Sequence, residues 1–178
     1  DTLSLHDALP ILNNDFSIRD AQINDIDAIL KIYSRSVIEE TASWEYSVPS
    51  KEEMIARFET ISAKYPYLVA HIDGEIIGYA YASLFRGREG WRFACENSVY
   101  VNPKFQGRGI AKQLMKQLCD KCAQIGLKTM MAVIGDSENQ ASIALHKSLG
   151  FTVVGTIPKV GFKFDKWLDS VIMQKSLA

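Results

Sequence analysis

Apolar and polar positions change period several times along the chain, and each change marks an element. Phe16-Ser-Ile-Arg19 reads as a short strand. Asn24 then suits an N-cap, with Asp25 and Asp27 in the first turn, where acids are favoured. Ile26, Ile29, Leu30 and Tyr33 follow at helical spacing, which predicts a helix to about Ile38. Residues 39–49 read as a loop with two aromatics, and Ser50-x-x-Glu53 is a capping box opening a helix from 51 to about 63. Alternating runs on either side of Asp73-Gly74 predict a hairpin over 68–72 and 75–84. A charged loop, Phe85 to Trp91, leads to a strand over 93–101. Ile110, Leu114, Leu118 and Ala123 or Ile125 form the apolar face of a helix over 109–125. A buried strand over 128–134, a helix over 139–149 and closing strands over 151–157 and 165–173 complete one mixed α/β domain.

Composition adds limits. The 178 residues are 47% hydrophobic and 23% charged, too apolar for a disordered chain and ordinary for a globular one. Twenty Lys and Arg against 21 Asp and Glu leave no overall field for a nucleic acid or an anionic membrane. No apolar run approaches the roughly 18 residues of a membrane span. Three cysteines cannot all pair internally, so a reducing, cytoplasmic setting is expected. Cys119-x-x-Cys122 has no second Cys/His pair to complete a zinc site, and it lies in the periodic stretch, so both are expected as helix-packed thiols. No metal is expected. Residues 1–14 lack the basic and apolar regions of a signal peptide and read as a non-native-looking appendage, with the domain spanning 15–178.

The chemistry begins where a strand meets the long helix. In Asn102-Pro-Lys-Phe-Gln-Gly-Arg-Gly-Ile-Ala111, Pro103 ends the strand, and Gly107 and Gly109 allow a tight turn that exposes backbone N–H groups. Those groups add to the dipole of the helix start and suit a pyrophosphate, with Arg108, Lys104 and Lys112 adding charge. The segment is neither a Walker A loop nor a dinucleotide fingerprint; taken alone it could be a tight turn and nothing more.

Gln106-x-x-Gly109-x-Ala111 resembles the acetyl-CoA pyrophosphate motif of the Gcn5-related N-acetyltransferases (GNAT), and Asn139 to Phe151 resembles that family's second CoA-contacting helix and the strand after it. The element order fits across residues 16–175. Thr41-Ala-Ser-Trp44, the Phe85–Arg92 loop, Glu96 to Val101 and Gly161 to Asp169 are similar to the phosphinothricin and methionine sulfone/sulfoximine acetyltransferase branch. The resemblance implies a central mixed, mostly antiparallel sheet flanked by helices. It implies acetyl-CoA bound by Val99, Tyr100, Val101, Gln106, Gly107, Arg108, Gly109, Ile110, Ala111 and Asn139.

The resemblance also carries an amine-recognising or catalytic Glu onto Glu96, whose apolar neighbours could raise its pKa toward that of a general base. Read alone, Glu96 could equally be a solvent-facing strand carboxylate. His146 stands where many relatives carry a tyrosine acid, so it is the candidate acid for the CoA thiolate; a packing or capping histidine is the other reading. Arg86, Trp91 and Arg92 lie on a loop suited to carboxylate recognition, and Trp44 with Thr41 is expected to wall the same pocket.

These features predict direct acetyl transfer to the α-amine of a small amino-acid analogue. The alternatives are an acetyltransferase for a protein N-terminus or polyamine, and a non-catalytic acyl-CoA-binding module. The partners expected are a small-molecule amine and a second copy in a homodimer, with no nucleic acid and no membrane.

Overall fold

The computed structural model describes residues 15–177. The separate extension expected over residues 1–14 lies outside them.

The chain runs β1 (Ser17–Asp20), α1 (Ile26–Glu39), α2 (Lys51–Ser62), β2 (Tyr67–Ile72), β3 (Glu75–Leu84), β4 (Ala94–Val101), α3 (Ile110–Gln124), β5 (Thr129–Ile134), α4 (Gln140–Ser148), β6 (Thr152–Lys163) and β7 (Lys166–Ser176). The strands form one seven-stranded sheet in the order β1-β2-β3-β4-β5-β7-β6. Every neighbouring pair is antiparallel except β4 and β5. This is the mixed, mostly antiparallel α/β sheet that the resemblance implied.

Local chemistry explains most boundaries. The Ser50 hydroxyl accepts from the Glu53 N–H at 3.1 Å and starts α2. Asp73 and Gly74 both take positive φ, as a two-residue hairpin requires. The entry to α1 differs from expectation: a 3₁₀ turn, Ile23–Asp25, precedes it, with Gln22 rather than Asn24 at its N-cap and Asp25 closing the capping box. The Asp25 carboxylate accepts from the Gln22 N–H at 2.8 Å while Arg19 pairs with it at 2.7 Å. That guanidinium holds the carboxyl below its usual pKa, so the acceptor that closes the turn is charged.

Two layers of core flank the sheet. On one face, α1 and α2 bury Ile26, Ile29, Met54 and Phe58 against Tyr67, Val69 and Tyr79. On the other, α3 buries Ile110, Leu114, Met115, Leu118, Cys119 and Cys122 against Leu68, Ala80 and Met130. The apolar stripe of α3 therefore continues through Cys122, four residues after Leu118, and leaves Ile125 54% exposed. All three cysteines are free and buried.

The closing hairpin is longer than expected. Its turn is Phe164-Asp165, both at positive φ, and Lys159 sits at φ 50° beside a register shift between Ile157 and Gly161. An irregular strand with an atypical turn pair gives little alternation to read.

The pairing of β4 with β5 positions the site. Only Ala94, Cys95 and Glu96 pair with Thr129, Met130 and Met131. Beyond them β4 stays with β3 as far as Val101, and β5 stays with β7 as far as Ile134. The two strands thus part after Glu96 and open a wedge inside the sheet.

Candidate active site

The wedge holds two adjoining cavities that share Ala42, Val99, Tyr100 and Asn139. The inner one, about 140 Å³, lies between Glu96–Tyr100 of β4 and 132–135 at the end of β5, and reaches Ser142 and His146 of α4. The outer one, about 530 Å³, runs from Val99–Val101 to Pro103 and Gln106, with 39–42, Asp136 and Phe164 opposite. The structure thus brings Val99, Tyr100, Val101, Gln106, Asn139, Glu96 and His146 together along one cleft.

Glu96 sits at the point where the strands part. Its carboxyl is raised above the usual range by burial alone, and it makes no hydrogen bond or ion pair with another described residue. A carboxylate in this state gains proton affinity through lost hydration, with no nearby cation to reverse the effect.

His146 is 3% exposed and enclosed by hydrogen bonds. Its Nδ1 lies 2.8 Å from the Ser142 carbonyl and its Nε2 lies 3.0 Å from Asn97 Oδ1. Asn97 is itself oriented, because its Nδ2 donates to the Met131 carbonyl at 2.9 Å. Burial lowers the imidazole pKa and the Ser142 carbonyl works in the opposite direction. Neither ring nitrogen is left without an oxygen neighbour in the protein. Asn139 caps α4, its side-chain oxygen accepting from the Ser142 N–H at 3.1 Å, while also lining both cavities.

The turn after β4 has the form its glycines require. A 3₁₀ turn, Pro103–Phe105, is followed by Gly107 and Gly109, both at φ +77°, and Gly109 is the residue before α3. A side chain at either glycine would meet nothing within 4 Å, so the surroundings are open. The first N–H groups of α3 have no acceptor within the helix. Arg108 is exposed and lies over the Phe105 ring at 5.3 Å. Ile110 contributes its backbone here while its side chain is core, and Ala111 is half-buried. Open N–H groups, a helix dipole and flanking cations fit the pyrophosphate of a CoA thioester.

Arg86 and Trp91 occupy a different hollow. They line a surface depression of about 470 Å³ with Phe85, Phe93, Ala94 and Met131. Arg86 lies 5.4 Å from the Phe85 ring and 5.6 Å from that of Trp91. This hollow shares no lining residue with the inner cavity, but Met131 is the β-pair partner of Glu96. Arg92 lines neither; it stacks on Phe93 at 4.4 Å and donates to the Glu89 carbonyl.

Trp44 also lines none of these cavities. It is seated between two glycines, its Nε1 donating to the Gly135 carbonyl at 2.9 Å. A Cβ at Gly161 would meet its ring carbons at 2.6 Å. Thr41 does line the outer cavity and donates to Asp136 at 2.9 Å. Sequence reasoning missed Asn97, Ser142 and Lys163. Asn97 left a signal, being polar at an inward position between Cys95 and Val99 on β4.

A family model described as Acetyltransferase (GNAT) family matches residues 31–151. The chain belongs to that family. It is 41% identical over 162 residues to the phosphinothricin N-acetyltransferase of Alcaligenes faecalis, covering 90% of this chain and 82% of that one. It is 40% identical over 162 residues to the L-methionine sulfoximine/L-methionine sulfone acetyltransferase of Salmonella typhimurium, covering 90% and 94%. Among solved structures, a GNAT superfamily phosphinothricin acetyltransferase from Sinorhizobium meliloti in complex with AcCoA superposes with a TM-score of 0.89 at 43% identity, covering 92% of this chain and 89% of that one. The protein is an acetyl-CoA-dependent N-acetyltransferase. Among the described residues no cluster of His, Cys, Asp and Glu could hold a metal ion, and no helix is long and apolar enough to cross a membrane.

Proposed function

We propose that this GNAT enzyme acetylates the α-amine of a small amino-acid analogue of the phosphinothricin, methionine sulfone or methionine sulfoximine class. The observation that carries the reading is the bare, desolvated Glu96 carboxylate at the inner end of a cleft that leads to the Gly107–Gly109 turn. Acetyl-CoA supplies the activated acyl group. Gly107 to Ala111 hold its pyrophosphate with backbone N–H groups and Arg108 adds charge, while Gln106 and Asn139 border the channel. Val99, Tyr100 and Val101 line the arm's path, and an N–H of β4 aimed at a thioester oxygen would stabilise the charge that develops there. Glu96 accepts the amine proton, directly or through a water, which its raised pKa suits.

Arg86, with Trp91 beside it, takes the acceptor's carboxylate from the hollow next to Met131. Trp44 acts by shaping the loop that carries Thr41 and Ala42, and Arg92 by holding Phe93 at the rim. His146 keeps α4 and β4 in register through Asn97 and is the candidate proton donor to the departing thiolate if that hydrogen-bond network rearranges. The exposed apolar residues Val153, Val154, Ile157 and Val160 on edge strand β6 support a homodimer contact. Three free, buried thiols suit the reducing cytoplasm.

The test is CoA-thiol release over a panel of amines: methionine sulfone, methionine sulfoximine, phosphinothricin, ordinary amino acids, a polyamine and a peptide N-terminus. Preference for the first three is expected. Preference for the polyamine or peptide would replace the acceptor class, and no release with any amine would favour a binding module.

A further inference from the structure

The β6–β7 hairpin carries a lysine for which the chemistry above has no use. Lys163 closes β6 and is only 2% exposed. No carboxylate pairs with it among the described residues. Its Nζ instead donates to three backbone carbonyls: Glu40 at 2.7 Å, Ser43 at 2.5 Å and Ser36 at 3.4 Å. An ammonium has three N–H donors, so its hydrogen-bonding capacity is fully used. Ser36 and Glu40 belong to the C-terminal end of α1, where unpaired carbonyls and the helix dipole favour a cation. A buried charge is tolerated only where its partners are fixed this well.

What the ammonium holds is a wall of the cleft. Ser36, Glu40, Thr41 and Ala42 line the outer cavity opposite Val99–Val101, and Ala42 also borders the inner cavity beside Glu96. The same segment is tied at Thr41 to Asp136 and at Trp44 to Gly135. A second contact with the hairpin comes from the Tyr46 hydroxyl, which donates to the Phe162 carbonyl. Between these ties Ser43 and Glu45 are held from the helices, by the Tyr33 hydroxyl and by Arg57, and among the described residues Lys163 is what joins the carbonyls of Glu40 and Ser43 to the hairpin.

We propose that Lys163 is a positioning residue for acetyl transfer: its buried ammonium fixes residues 40–43 and so sets the shape of the channel that receives acetyl-CoA. This rests on the reading of the cleft given above. It assigns Lys163 no contact with either substrate and no proton to transfer.

Wild type, Lys163→Met and Lys163→Gln are compared by steady-state kinetics in acetyl-CoA at saturating acceptor, with thermal melting and hydrogen exchange on each protein. Lys163→Met is expected to raise KM for acetyl-CoA about tenfold while kcat stays within about threefold. Amide exchange is expected to quicken over residues 40–44 and not in β2–β4. Lys163→Gln keeps N–H donors without the charge, is expected to fall between, and carries the test if Lys163→Met does not fold. A general loss of folded enzyme would instead lower kcat at unchanged KM. Unchanged KM in a folded variant, exchange quickened throughout the sheet, or failure of both variants to fold overturns the proposal. A wild type without turnover on any amine removes the reading of the cleft itself, an outcome separate from a wild type that turns over and variants that match it.

Discussion

The β4 side of the cleft and the side facing it treat their polar groups in opposite ways. On the β4 side the Glu96 carboxylate has no hydrogen-bond or ion-pair partner among the described residues, and the turn at Gly107 and Gly109 opens onto free space. Across the cleft, His146 is held by Ser142 and by Asn97 of β4, Trp44 by Gly135, Thr41 by Asp136 and Lys163 by three carbonyls, with the Ser36 hydroxyl the unpartnered exception. Unpartnered groups cost stability and are available to a ligand, whereas satisfied networks hold a shape. If the first side carries the ligand chemistry proposed above and the second the rigidity, substitutions on the two sides should separate activity from stability.

The largest effect is expected at Glu96. Glu96→Gln should lower kcat by roughly 10²-fold or more, the usual range for a lost general base, and flatten the acidic limb of the pH–rate profile. Its stability should not fall. A carboxyl whose pKa is raised on folding favours the folded state at low pH, and that contribution is lost as pH rises through the folded value. At neutral pH the substitution therefore removes a cost. A variant as fast as wild type at every pH would take Glu96 out of the mechanism.

Gly161→Ala probes the opposite side. The added methyl would meet Trp44 at 2.6 Å, and overpacking of this kind costs about 1–3 kcal/mol. Chemical denaturation should show the loss, and an unchanged midpoint would mean that Trp44 is loosely seated.

Arg86→Ala should raise KM for a carboxylate-bearing acceptor about tenfold and leave a decarboxylated amine unaffected. Equal losses with both acceptors would remove the carboxylate role.

The smallest effect is expected from His146. Its pKa is lowered on folding, so the stability it contributes is present above its ordinary value of 6.5 and is lost as pH falls below it. Glu96 acts with the opposite sign, so unfolding should be compared at pH 7.5 and 5.5, about one unit either side of the ordinary histidine value, in the Glu96→Gln background. A slope that persists when His146 is also replaced by Gln would assign it to other groups.

Much of the fold was legible because its signals are local. The Ser50–Glu53 box, the Asp73-Gly74 turn and the glycines of the turn before α3 each act within a few residues of where they stand. The resemblance supplied the type of sheet and the chemistry, and the candidate cleft residues of β4 and α4 followed from it. The facing wall was not legible. Trp44 fits because Gly135, 91 residues on, offers a carbonyl and Gly161 lacks a side chain. Neither glycine there has positive φ, so neither marks a turn. Lys163 looks like one more surface charge in an alternating segment until the α1 carbonyls are brought to it. Contacts of this separation leave no period in the chain.

The brief pairing of β4 with β5 has a mechanical side. The sheet is in effect two antiparallel panels, β1-β2-β3-β4 and β5-β7-β6, stitched along a seam of three residue pairs. Each panel keeps its own internal antiparallel ladder, and the core under α3 spans both. The cleft opens where that seam ends.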